Sequence, residues 1–166
     1  MQPTDGSAHP NVERVVAAAR NAGVDIAVQR FPEGTRTAQD AAAAVGCEVG
    51  QIVKSLVFVA DGRPVVALVS GTNRLDTTRL ASTLGATAVR RADGDEARAA
   101  TGFAIGGVPP FGHSQPLDVV MDHDLATWER VWAAAGLPDA VFDISPGELE
   151  RASGARLADI AERPGG

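Results

Sequence analysis

Two residue types are almost missing from this sequence. It has one cysteine, and one lysine against fourteen arginines. A single cysteine, Cys47, excludes an internal disulfide framework. It follows a helix-ending Gly46 and has no histidine nearby in sequence, so it reads as a small hydrophobe rather than a nucleophile. The three histidines, His9, His113 and His123, have neither HExxH spacing nor cysteine partners, so the pattern makes no zinc site. No metal and no cofactor is expected. No apolar run approaches the roughly 20 residues of a membrane span. Met1 to Pro10 is polar and lacks the apolar core of a signal peptide. The expectation is a cytoplasmic protein with no membrane partner. A net charge of −6 argues against broad nucleic-acid binding driven by counterion release. It leaves room for a local basic patch, from Arg74 and Arg79 or from Arg90, Arg91 and Arg98, although a solvated face is the simpler reading of any one of these.

What is present fits one domain of ordinary soluble composition, 45% apolar and 22% charged, with no internal repeat and no long linker. The lone lysine lies in the most apolar stretch, Gln51-Ile52-Val53-Lys54-Ser55-Leu56-Val57-Phe58-Val59. Lysine is a compact point charge whose pKa moves on desolvation, whereas arginine is a permanently charged fork. A lone lysine in such a run suggests that an ammonium is needed there. The segment reads as a strand, with Ile52, Lys54, Leu56 and Phe58 on one face and Val53, Ser55, Val57 and Val59 on the other. Both faces are apolar, so Lys54 points into the protein; snorkelling along its own stem is the competing reading.

Capping and turn signals divide the rest. Residues 1–10 read as a mobile tail and 161–166 as a C-terminal tail, with the domain over 11–160. Asn11 is a candidate cap for a helix over 12–22, stopped by Gly23. Val24 to Gln29 alternates as a strand, and Phe31 to Gly34 is a turn. Thr37 caps an alanine-rich helix over 38–45. Asp61-Gly62 marks a hairpin that returns Pro64 to Val69 beside the lysine strand. Asp76 caps a helix over 77–84, Thr87 to Arg91 is a short strand, and Asp93 caps a helix to Thr101. Asp118 to Met121 is a strand. Trp128 to Ala135 suits either a helix or one arm of a hairpin turning at Gly136-Leu137-Pro138-Asp139. Ser145 with Glu148 forms a capping box for a helix over 146–153. Helices mixed with hairpins predict an α+β fold on a mixed, curved sheet.

The loop 102–113 carries four glycines and two prolines. Such a loop is stiff and can present main-chain N–H groups to an anionic or carbonyl oxygen; a tight structural connection is the plainer alternative. The lysine segment, followed by Gly102-Phe103-Ala104-Ile105-Gly106-Gly107-Val108-Pro109-Pro110-Phe111-Gly112, resembles the YbaK/EbsC family. That family includes the editing domain of bacterial prolyl-tRNA synthetases and its freestanding relatives. Thr35 to Ala42, Leu75-Asp76 and Val120-Met121-Asp122 also fit, so the resemblance runs from Val24 to Ile160. It implies a single domain with a barrel-like sheet flanked by helices, and it supports the hairpin over 129–145. The implied activity is trans-editing: hydrolysis of the ester of a mischarged aminoacyl-tRNA. The sequence departs from some relatives in having no tyrosine or histidine around Phe31 to Arg36, which bears on amino-acid specificity.

The resemblance places the family lysine on Lys54, the glycine–proline loop on Gly106 to Pro110 and the strand-end aspartate on Asp122. No Ser–His–Asp or Cys–His arrangement is evident, so deacylation without a protein nucleophile is expected. In this reading Lys54, Gly106, Gly107 and Val108 carry the chemistry. Lys54 holds a phosphate or the ester oxygens, and the loop N–H groups stabilise the oxyanion. The tRNA's own 2′-hydroxyl can assist with the proton. Phe31, Thr37, Ser70, Pro109, Pro110, Phe111, Gly112, His113 and Asp122 are the expected substrate contacts. Asp122 serves equally well as a helix cap, and His113 as a surface loop residue. The expected partner is the acceptor end of a mischarged tRNA bearing a small amino acid, on a proline or related tRNA, with a synthetase as a second possible partner. The alternatives are a non-catalytic tRNA- or nucleotide-binding module and a hydrolase of another small acyl ester. Pattern alone sets no oligomeric state.

Overall fold

Asp61 and Gly62 make the turn that organises the molecule. Both have positive φ, 48° and 81°, as a type I′ hairpin turn requires. They join β3 (Val53–Ala60) to β4 (Arg63–Ser70) in unbroken antiparallel register, from Val53 opposite Ser70 to Ala60 opposite Arg63. The Asp61 carboxylate accepts the N–H groups of Thr87 and Ala88, which ties the turn to the chain entering β5 (Val89–Arg91). The computed structural model describes residues 4–5, 9–32, 35 and 37–164.

The strands form two sheets. The first has the order β5-β3-β4-β6-β9, with β6 (Asp118–Asp122) and β9 (Arg156–Ala158) running parallel to their neighbours. The second has the order β1-β2-β8-β7 and is antiparallel: β1 (Thr4–Asp5), β2 (Gln29–Arg30), β8 (Ala140–Ile144) and β7 (Val131–Ala134). An isolated parallel bridge, Ile52 to Trp132, links the two. The fold is thus α+β, a single domain with a mixed sheet and flanking helices. The expected single curved sheet is divided, and pairing among the described residues does not close a barrel. The hairpin reading of 131–144 holds.

Among the described residues five helices flank the sheets: α1 (Pro10–Asn21), α2 (Ala38–Val45), α3 (Thr77–Leu84), α4 (Gly94–Thr101) and α5 (Pro146–Ser153). Thr37, Asp76, Asp93 and Ser145 cap the last four as predicted, each accepting a main-chain N–H of the first turn. The first helix differs. His9, not Asn11, is its cap: its Nδ1 accepts the Asn11 N–H at 3.0 Å, and Pro10 takes the first helical position, where its missing donor costs nothing. Val24 to Val28 is not paired in a ladder, and only Gln29–Arg30 forms the strand. The alternation there is satisfied by packing instead, with Val24 buried and Ile26 and Val28 against the core. Of the expected turn at Phe31 to Gly34, Glu33 and Gly34 lie outside the described residues. β9 had no sequence expectation. The segments expected as tails contribute β1 and, at Ala161, a bridge to Leu75.

The period-two alternation of β3 and β4 separates two cores. Val53, Val57, Val66 and Leu68 face α1, Phe103, Phe111 and Phe142 of the larger one. Phe58, Val65, Ala67 and Val69 face Leu80 of α3 and Ile160. Burying each of these valine, leucine and phenylalanine side chains contributes about 1.5–3 kcal/mol, so the central hairpin is held from both sides.

Candidate active site

β5 covers β3 only at Phe58–Ala60, and Ala92 extends the contact by donating its N–H to the Val57 carbonyl at 3.0 Å. The N-terminal half of β3 therefore has an open edge. A cavity of about 320 Å³ runs along it. Thr35, Thr37 and the α2 residues Ala38, Ala41 and Val45 form one wall. Trp132, Ala133, Pro138 and Val141 of the β7–β8 hairpin form another, and Ile105, Gly106 and Val108 close a third, with exposed Arg91 at the rim. Because the cavity meets an edge and not a face, consecutive residues of β3, Val53 through Val57, all line it.

Antiparallel pairing alternates the direction of main-chain groups along a strand. The Val57 carbonyl points away from β4, since it receives Ala92; Ser55, two residues back, turns its N–H and C=O the same way, toward the cavity. The Ser55 hydroxyl adds a third polar group. Among the described residues, Ser55 Oγ is the one buried side-chain N or O atom with no hydrogen-bond partner.

Lys54 lies at the same edge, half-buried, and its Nζ donates to the Asn73 carbonyl at 2.5 Å. Burial pushes its pKa below the ordinary lysine value; the Asp122 charge opposes that, and Arg91 adds to it. Asp122 is fully buried. Its Oδ2 accepts the Ser70 N–H at 3.1 Å and the Asn73 amide at 2.8 Å. Its Oδ1 accepts the Asp124 N–H at 3.0 Å and caps the 3₁₀ turn His123–Thr127. The Ser70 hydroxyl donates to Gly50 O at 2.6 Å. Asp122 and Ser70 thus form a satisfied polar frame beside Lys54 and lie outside the cavity wall.

The 102–113 loop divides into two parts. Gly106 and Val108 line the cavity, and among the described residues their N–H groups meet no protein acceptor. Gly107 does not line it. Its N–H donates to Ala104 O at 3.0 Å, and the Gly136–Leu137 backbone approaches so closely that a Cβ at Gly107 would stand 2.9 Å from Leu137 Cα. Beyond it Pro109, Pro110 and Phe111 are buried, Phe111 packing on Phe142 at 5.6 Å between ring centroids. Gly112, at φ 80°, lies against α1. His113 Nε2 donates to the Pro109 carbonyl at 2.8 Å, and burial lowers its pKa while that hydrogen bond opposes the shift. Pro109 to His113 anchor the loop in the core and do not reach the cavity.

Phe31 is also buried outside the wall, with its N–H on Asp139 O at 2.8 Å. Thr37 lines the cavity while its hydroxyl caps α2. Of the residues expected to act together, the structure gathers Lys54, Gly106, Val108 and Thr37 at one cavity. The wall residues without an assigned role include Thr35, Ser55, Arg91, Trp132 and Pro138. For Ser55 there was a signal, a hydroxyl next to the lone lysine in an apolar run. Trp132 and Pro138 arrive by tertiary contact, which leaves no local trace.

The architecture thus sets one small cavity along a strand edge, lined by residues whose main-chain N–H groups have no protein acceptor among the described residues. Residues 32–152 match the model of the aminoacyl-tRNA editing domain, and the chain belongs to that family, the YbaK and prolyl-tRNA synthetase editing-domain group. YwhH of Bacillus subtilis, an uncharacterised protein, is 32% identical over 127 residues, 76% of this chain and 80% of that one. The proline–tRNA ligase of a Geobacter species is 38% identical over 106 residues, 64% of this chain. This chain spans 18% of that ligase, so the likeness concerns one part of a much longer protein. Among solved structures, a protein described as a candidate trans-editing enzyme for prolyl tRNA synthetase is 47% identical, with a TM-score of 0.88 over 93% of this chain and 99% of that one. The hypothetical protein APE2540 is 30% identical, with a TM-score of 0.83 over 90% and 99%.

Proposed function

We propose that this protein is a deacylase that hydrolyses the ester of a tRNA mischarged with a small amino acid, on a proline or related tRNA, without a protein nucleophile. One observation carries the reading: residues with unspent polar groups line one small cavity, Ser55 with its hydroxyl and main chain on one side and Gly106 and Val108 with unbonded N–H groups on the other. An aminoacyl ester is already activated, so positioning it and stabilising the developing oxyanion suffice. Two free N–H groups suit that task, each such donor contributing about 3–4 kcal/mol to the transition state.

The other roles follow from position. Lys54 and Arg91 supply positive charge at the rim, where the terminal phosphate of an acceptor strand would lie. The Ser55 edge receives the substrate's amino group or ester. The cavity is at the small end of ligand sites, which run roughly 300–1,000 Å³, and alanine and valine make up about half of its wall residues. That favours a small apolar side chain and rejects larger ones by steric exclusion, since size discrimination per methylene is only about 1–3 kcal/mol. The likeness to a candidate trans-editing enzyme supports a partner tRNA and action beside a synthetase.

The test is single-turnover deacylation of a panel of alanyl-, seryl-, cysteinyl- and threonyl-tRNAs by the wild type and Lys54→Ala. Rapid hydrolysis of one or two members, lost in the variant, is the expected result. Binding without hydrolysis of any member would reassign the protein as a tRNA-binding module, and hydrolysis of free aminoacyl esters at the same rate would remove tRNA from the reaction.

A further inference from the structure

We infer that Asn73 is the positioning residue for Lys54, and that the C-terminal segment holds Asn73 in place through Arg163 and Asp124. Asn73 is bonded at both ends. Its main-chain carbonyl receives the Lys54 ammonium. Its side-chain amide spends both hydrogens on carboxylates, Asp122 Oδ2 at 2.8 Å and Asp124 Oδ2 at 2.7 Å. A residue needed only for the turn after β4 would be satisfied by its N–H on Ser70 O at 2.9 Å. The amide contacts go further and fix the direction of the carbonyl that Lys54 meets.

Asp124 is held in turn by Arg163, whose Nη1 reaches the same Oδ2 at 2.9 Å. Arg163 also bonds Asp159 at 2.8 Å and meets His123 Nε2 at 3.0 Å. Asp122, His123 and Asp124 bring potential ligand atoms within 4.8 Å of one another, and the guanidinium is the cation that meets this group. The arm itself is docked on the loop after β4. Asp76 N–H donates to Ile160 O at 2.8 Å, and Glu162 N–H to Arg74 O at 2.8 Å. A path of hydrogen bonds thus runs from Arg163 through Asp124 and Asn73 to the ammonium, 109 residues away in sequence by the difference 163 − 54. The charged groups that act on Lys54 are Asp122 and Arg91; Asp124, Arg163 and His123 lie farther along the path. The lowered pKa of Lys54 agrees with an ammonium held half out of water.

Lys54 is the sole lysine, so selective ¹³C and ¹⁵N lysine labelling gives one set of side-chain signals, and its titration can be followed through the ε-carbon by NMR without any substrate. The variants are Asn73→Ala and Arg163→Gln. Arg74→Gln is the control: it removes the same charge from the same docked region, where Arg74 makes an exposed pair with Glu162 and does not touch Asp124. The expected result is that the Lys54 midpoint rises toward its ordinary 10.5 in both test variants, as the freed ammonium regains water, and stays put in Arg74→Gln. An unmoved midpoint in a folded test variant overturns the inference; should Asn73→Ala not fold, the surface variant Arg163→Gln decides alone. The catalytic consequence rests on the deacylase reading: kcat falls by up to about 100-fold with KM unchanged. If the midpoint moves while the wild type hydrolyses no mischarged tRNA, the positioning role stands and the deacylase reading falls.

Discussion

The Thr35 hydroxyl donates to the Pro138 carbonyl at 2.7 Å, and this bond joins opposite walls of the cavity. The same hairpin tip is held by Phe31 N–H on Asp139 O and by the paired bonds of Arg30 to the Asp139 carboxylate, both 3.1 Å. Thr35→Val keeps the shape but leaves a carbonyl without its donor, which costs about 1–3 kcal/mol. For a domain of this size that lowers Tm by roughly 2–10 °C. If the bond sets the width of the cavity, KM rises and discrimination against larger aminoacyl groups weakens; thermal melting and competition between two mischarged tRNAs measure both.

Ser55→Ala separates stability from function. The hydroxyl has no protein partner, so removing it changes stability by no more than about 0.5 kcal/mol and in the favourable direction. If that hydroxyl bonds substrate, kcat/KM drops by roughly 2- to 12-fold, the equivalent of a neutral hydrogen bond of about 0.5–1.5 kcal/mol. An unchanged kcat/KM removes Ser55 from the site.

Adjacent glycines respond differently. A Cβ at Gly107 collides with the Leu137 and Gly136 backbone, which no rotamer relieves, so Gly107→Ala destabilises by about 1–3 kcal/mol or more and displaces the loop. At Gly106 the nearest atom to a Cβ is Pro138 Cγ at 3.9 Å, and the obstacle is its φ of 95°. Gly106→Ala therefore costs about 1–2 kcal/mol of backbone strain with the hairpin undisturbed. Chemical denaturation of both, with hairpin amide shifts by NMR, tells steric from conformational cost.

The arm carries a pH signature. The Arg163 guanidinium holds both Asp124 and Asp159 below the ordinary carboxylate value of 3.8. A carboxylate depressed in the folded state contributes stability that is present above its unfolded pKa and is lost as pH falls through the folded one. Wild type should thus exceed Arg163→Gln in stability at pH 6, and the difference should shrink as pH falls below 3.8 and through the depressed folded values. Acid titration of the two by circular dichroism checks this; a difference that does not shrink on acidification would falsify the assignment.

The elements set by local chemistry were legible in the sequence. Thr37, Asp76, Asp93 and Ser145 cap helices by reaching N–H groups two or three residues away, and Asp61-Gly62 fixes a turn by its own dihedrals. Elements that depend on distant partners were not. Arg156–Ala158 is a strand because β6 lies beside it in parallel, and with Leu157 exposed it shows no apolar alternation. Val24 to Val28 alternates yet finds no partner strand. The site divides along the same line. Lys54 and the glycine loop stood out by composition and do meet at the cavity. An apolar loop residue looks the same in sequence whether it lines a pocket or fills a core, so Pro110 and Phe111 gave no sign that they turn inward. Arg91 and Pro138 reach the cavity from strands and turns paired far along the chain.

Because β5 stops three residues into its pairing with β3, part of the cavity floor is peptide backbone. Truncating side chains one at a time leaves those groups intact, so an alanine scan of the floor will under-report its share of recognition. Replacing the Ser55 amide with an ester linkage would expose it. The same feature bears on divergence. Relatives that share this hairpin can exchange wall residues on α2 and on β7–β8 and so reshape the cavity, while a floor made of backbone does not depend on which side chains the strand carries.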